Sequence, residues 1–154
     1  MGKIIAVTTE LKPLSIKPLA IAKWFYKRGI FSHLFIQKLI YLAFIEGLKE
    51  NLLLFSEKFQ AWKYGPVLSS IFEQMTNCPN LDEMFNQAPI LRQKQVIAIL
   101  EKVYHDYHKW DVWDLVDKSH EGPWVKTRGN LSSEETSTQE IELKDLVNFA
   151  NAQK

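Results

Sequence analysis

Apolar residues recur at helical spacing through most of this 154-residue chain. Pro18 suits the first turn of a helix running to about Arg28, with Leu19, Ala22, Trp24, Phe25 and Tyr26 as its apolar mass and Gly29 as its stop. Ser32 is a good N-cap for a second helix through HLFIQKLIYLAFIEGLKE. That stretch is apolar nearly all round, which places it at the centre of the domain. After Asn51 the run LLLFSEKFQAWKY is interrupted by polar residues at short spacing, and it predicts a loop or a short extended segment. Pro66 then reads as the opening of a third helix, VLSSIFEQM, with Val67, Ile71, Phe72 and Met75 inward. The stretch NCPNLDEMFNQAP, with Pro79 and Pro89, reads as a connection holding one short helical turn. A fourth helix is expected from Ile90 to His105 and a fifth from Asp111 through VWDLVDKSH, ending before Gly122-Pro123. Residues 129–139, rich in Ser, Thr and Glu, read as an exposed loop, and a last helix spans Lys144 to Ala152. The expected fold is therefore mainly α, one compact domain over residues 1–154 with five to seven helices. There is room for one short two-stranded β pair, near 54–61 and 139–143.

Composition narrows the class without naming a chemistry. The hydrophobic fraction of 46% and charged fraction of 24% are those of an ordinary soluble domain. Cys78 is the sole cysteine, which excludes an internal disulfide and every paired-cysteine zinc or redox pattern. A reducing cytoplasm fits that usage. No apolar run has the length of a membrane span or a signal peptide, and Ala6 stands where a myristoylation site needs Ser or Thr. Net charge is only +1, so no global field draws the chain to nucleic acid or anionic lipid. The distribution is uneven: residues 1–49 have an excess of six positive charges, while 130–154 have an excess of three negative ones. A solvated helix face and a polar tail account for this; a basic face for an acidic partner is the other reading.

Candidate chemistry is thin. His105 and His108 stand three apart in HDYH, with Asp106 between them and Asp111 beyond, but a zinc site needs three or four aligned ligands. Asp111, Asp114 and Asp117 recur every three residues, where the helix dipole is reason enough for the first two. Ser119 and His120 suggest a nucleophile and base, yet adjacent helical residues diverge by about 100°. No GxSxG, GxxxxGK[ST] or HExxH pattern is present. The interleaved WFYKRG at 24–29 could stack a base and hold phosphate, although an amphipathic helix end explains it more simply. No catalytic residue, cofactor or metal is expected.

Two punctuated segments remain. In AWKYGPV, Trp62 and Tyr64 approach a corner at Gly65-Pro66; in SHEGPW, His120 and Trp124 flank a corner at Gly122-Pro123. Taken in order, QKLIYLA at 37–43, LFSEKFQAWKYGPVLSSIFEQM at 54–75, LVDKSHEGPW at 115–124 and IELKDLVNFA at 141–150 resemble the Panacea domain, the SocA-like antitoxin family that includes GepA-type phage-associated proteins. The resemblance covers about Pro18 to Phe149. It implies a non-enzymatic, cytoplasmic antitoxin of a bacterial or phage toxin–antitoxin pair, which neutralises a cognate toxin by direct protein–protein binding.

Alternatives implied by the same family are an adaptor that delivers a toxin to a protease as third party, and a phage accessory protein that binds a host factor. A metal-dependent hydrolase built on His105 to His120 is the rival from another class. Neither a membrane nor nucleic acid is an expected partner. The residues carried by the motifs are Gln37, Lys38, Leu39 and Tyr41, then Trp62, Tyr64, Gly65, Pro66 and Val67, then His120, Pro123 and Trp124. They either define the fold or touch the partner. The aromatic and basic first half is the expected contact face.

Overall fold

The computed structural model describes residues 11–154. Its elements begin with β1 (Lys12–Pro13), α1 (Pro18–Tyr26), α2 (His33–Lys49), β2 (Leu52–Leu53), β3 (Gln60–Trp62) and β4 (Gly65–Val67). They continue with α3 (Ser69–Thr76), α4 (Leu81–Gln87), α5 (Lys94–Tyr107), α6 (Val112–Ser119), α7 (Pro123–Arg128) and α8 (Leu143–Ala152). The fold is 55% helical with two small two-stranded sheets, so the mainly α class holds, with eight helices among the described residues.

α2 organises the rest. The Ser32 hydroxyl accepts the Phe35 N–H at 3.3 Å and starts the helix. Its residues from Ile36 to Leu48 are buried on almost every side, as its all-round apolar pattern requires. α1, α3, α5, α6, α8, β2 and β4 all pack against it. Phe44, Phe55 and Phe59 form one aromatic knot beside it, with Tyr41 edge-on to Phe59 at 5.3 Å.

Both Gly-Pro corners act otherwise than the sequence suggests. Pro66 does not open a helix; it sits in β4, which pairs antiparallel with β3 in the register Gln60–Val67, Ala61–Pro66 and Trp62–Gly65. A proline tolerates that place because the missing N–H is not needed there, while its carbonyl still finds a donor in Lys38. Helix α3 begins only at Ser69. Pro123, read as part of a helix stop, instead occupies the first turn of α7. The same residue chemistry serves a strand in one corner and a helix start in the other.

Other boundaries shift for local reasons. Asn80 accepts the Glu83 N–H at 3.0 Å and Phe85 is fully buried, so α4 extends to seven residues rather than one turn. Ile90 is exposed and α5 starts at Lys94. The strand pair expected at 54–61 and 139–143 is present as a single bridge between Gln60 and Glu140. It is flanked by bonds from the Ala61 N–H to Gln139 O and from the Ile141 N–H to Phe59 O, each 2.8 Å. The parallel β1–β2 pair was not foreseen; two residues per strand are too few for an alternating pattern.

Candidate functional site

The three motifs meet beneath the β3–β4 turn. Gln37 uses both ends of its amide on one residue: its Oε1 accepts the Leu68 N–H at 2.9 Å and its Nε2 donates to the Leu68 carbonyl at 3.0 Å. A side chain thus stands where a further strand would pair, between β4 and α3. One residue along, Lys38 is fully buried and its Nζ donates to the Pro66 carbonyl at 3.1 Å. Gly65, at φ +110°, lies against that lysine and the Ser119 hydroxyl. Ser119 in turn donates to the Val116 carbonyl at 2.8 Å. From the third motif, Trp124 donates its Nε1–H to the Trp62 carbonyl at 2.7 Å. His120 stacks flat on Trp124, with ring centres 3.9 Å apart and planes 4° from parallel. Pro123 is buried at the start of α7.

The electrostatics follow from burial. Desolvation pulls the Lys38 ammonium down to about 7. His120 lies below its usual value through burial and the positive charges of Lys38 and Arg128, although Asp117 pulls the other way. His33 is lowered by burial and by Lys38. Tyr41 is raised by burial and by the Glu121 carboxylate. Among the described residues neither the Tyr41 hydroxyl nor His120 Nε2 has a hydrogen-bond partner. This is a polar knot inside an apolar fold, and its hydrogen bonds hold backbone carbonyls of the turn in place.

Arg128 is the contributor that the motifs omit. Its guanidinium reaches the Ala61 carbonyl at 3.1 Å, Ser132 O at 2.9 Å and Glu135 O at 2.5 Å, and it lies 4.7 Å over the Trp124 ring. It is 5% exposed. Nothing in the sequence spacing announces that a six-residue helix turns it inward.

The weaker candidates stay apart. His105 is exposed, whereas His108 stacks on Tyr104 and its Nδ1 contacts the Tyr104 carbonyl at 2.8 Å. Asp111 caps α6 by accepting the Trp113 N–H at 3.2 Å, and Asp114 and Asp117 are exposed. Among the described residues no three His, Cys, Asp or Glu side chains come together as metal ligands. No helix among the described residues is long and apolar enough to cross a membrane.

The surface above the knot is aromatic. Tyr64 and Trp113 are 45% and 51% exposed and meet edge to face at 5.3 Å, so they form one ring pair open to solvent. The WFYKRG aromatics are core instead: Trp24, Phe25 and Tyr26 are buried and Arg28 lies 3.5 Å over Trp24. Among the described residues of the first half, Phe31 and Tyr64 are the exposed large rings, and the basic groups other than Lys38 reach the surface. Next to Tyr64 a groove runs between the hairpin and the first turn of α2.

A family model of the antitoxin SocA-like Panacea domain matches residues 36–125. The chain belongs to that family. All twelve residues from Gln37 to Trp124 singled out by the motifs fall inside the match, so the part of the buried knot that they form lies within the Panacea region. No curated protein and no solved structure matches the chain. Within this Panacea fold, Trp124→Phe keeps a ring for His120 to stack on but removes the donor to Trp62 O. Urea unfolding is expected to show a loss of about 1–3 kcal/mol, the effect of leaving a buried carbonyl unpaired. An unchanged midpoint would mean that water takes the indole's place.

Proposed function

We propose that the protein is a non-enzymatic antitoxin of a bacterial or phage toxin–antitoxin pair, acting in the cytoplasm by direct binding of its toxin. The observation that carries this reading is the family match over residues 36–125. The arrangement of the motif residues supports it. Lys38 and Ser119 are closed off from solvent and bonded to backbone carbonyls, which is a structural use of groups that catalysis would need to expose. Tyr64 and Trp113 provide exposed rings of the kind that anchor protein interfaces. On this reading the buried motif residues define the fold, and partner contact belongs to the surface around Tyr64. The chain is one Panacea-like domain over residues 1–154.

Growth of bacteria that express the neighbouring gene of the same operon, alone and with this chain, tests the proposal. Arrest by the neighbour and rescue by the chain are expected, together with a complex that survives co-purification. Rescue with undiminished toxin levels marks inhibition by binding, whereas a shortened toxin half-life marks delivery to a protease. A neighbour that leaves growth unaffected, and no recovered complex, would refute the antitoxin role.

A further inference from the structure

The groove beside the Lys63–Tyr64 turn encloses about 500 Å³, enough for one or two large side chains. Leu34, Trp62, Tyr64, Val67 and Phe72 line it, and Trp62 meets Phe72 edge to face at 4.9 Å. The walls are apolar, with Lys63 the only Lys or Arg and no carboxylate in the lining among the described residues. His33, which also lines it, is held neutral at pH 7 by its lowered pKa. The groove also opens at the start of α2, whose first two residues are His33 and Leu34, so the positive end of a 17-residue helix dipole lies at its mouth.

Lys63 already shows what complements this rim. Its Nζ pairs with Glu134 at 3.2 Å, a residue of the exposed loop whose side chain is 83% exposed. An ion pair of that kind holds weakly and exchanges readily. Resting on the antitoxin reading, we propose that this groove is the toxin-docking site, taking a large apolar side chain of the toxin flanked by an Asp or Glu that replaces Glu134 at Lys63. The exposed Tyr64–Trp113 pair continues the apolar surface beyond the rim and covers the neighbouring part of the same segment.

The experiment measures binding of the purified chain to the product of the neighbouring operon gene, by calorimetry. Thr138→Trp fills the groove from an exposed loop position and leaves the core untouched, while Leu34→Arg places a charge in the wall. Each is expected to weaken binding at least tenfold at an unchanged melting temperature. Lys63→Glu is expected to weaken it and Glu134→Gln to tighten it several-fold, with Ile90→Arg, an exposed position outside the groove lining, as the neutral control. If the wild type binds and the groove variants bind equally well, docking lies elsewhere and the antitoxin reading stands. If Thr138→Trp abolishes a self-association of the chain instead, the occupant is a second copy and the proposal fails. If the wild type neither binds nor rescues growth, the antitoxin reading falls and the docking site with it.

Discussion

At pH 6, Lys38→Met is expected to be more stable than the wild type, and by pH 9.5 most of that advantage is expected to have gone. Burial lowers the folded-state pKa of Lys38 from 10.5 to about 7, and among the described residues the ammonium has a single hydrogen bond, to Pro66 O. The unfolded chain keeps this proton up to its ordinary value. Between the two values the unfolded state binds more protons, so wild-type stability rises with pH across that window. A separation of that size corresponds to a penalty of about 5 kcal/mol on the folded wild type below pH 7. Met retains an unbranched apolar stem but leaves the Pro66 carbonyl without a donor, which offsets about 1–3 kcal/mol of the gain. A net stabilisation of about 2–4 kcal/mol at pH 6 remains. His33 and His120, both lowered, contribute a rise of the same sign below their usual range; the part due to burial cancels in the comparison, while the part due to the Lys38 charge is absent from the variant and adds to its advantage at pH 6. Urea unfolding at pH 6, 8 and 9.5 checks this. Two curves that stay parallel across the series would mean that Lys38 keeps its charge in the fold.

Gly65→Ala is expected to lower stability by about 2–5 kcal/mol, combining left-handed backbone strain with overpacking. The backbone there is at φ +110°, and a Cβ would lie 2.3 Å from the Ser119 hydroxyl and 2.9 Å from Lys38 Nζ. Either Ser119 or Lys38 must then move, which disturbs the Ser119 bond to Val116 O or the Lys38 bond to Pro66 O. Gly29→Ala is the internal comparison. Gly29 has a similar φ of +94° but open space around it, so only strain applies, about 1–2 kcal/mol. Unfolding midpoints of the two variants separate strain from packing. Equal losses would show that the contact at Gly65 yields without effect.

The helical skeleton was readable because periodicity over ten or more residues reports which face is buried. α2 and α5 emerge from that pattern, and Ser32 and Asn51 bound the central helix by ordinary capping and turn chemistry. The corners were harder. A Gly-Pro step restricts dihedral angles but does not decide between strand and helix; at Pro66 the decision comes from Ala61 across the turn and from Gln37, which is 31 residues away from Leu68 in the chain. Ala61 stands within the same short motif, but Gln37 lies outside any local window. For the same reason the motif residues could be recognised as a set, while their use as mutual hydrogen-bond partners appears only when α2, the hairpin and α7 are brought together. The anchoring role of Arg128 was not legible, since its three carbonyl acceptors are spread over Ala61, Ser132 and Glu135.

Arg128 carries a further consequence. One guanidinium fastens both the strand β3 and the 132–135 stretch, while the Ala61 N–H fastens Gln139, so residues 136–138 span between two fixed anchors. That short span forms one bank of the groove, and its side chains are Thr, Ser and Thr. Within that bridge Ser137 Oγ accepts the Gln139 N–H at 3.1 Å, so Thr136 and Thr138 are the positions that can change without loosening either abutment. The width and chemistry of the groove can thus be retuned by two codons, while the load passes through a single cation in the interior.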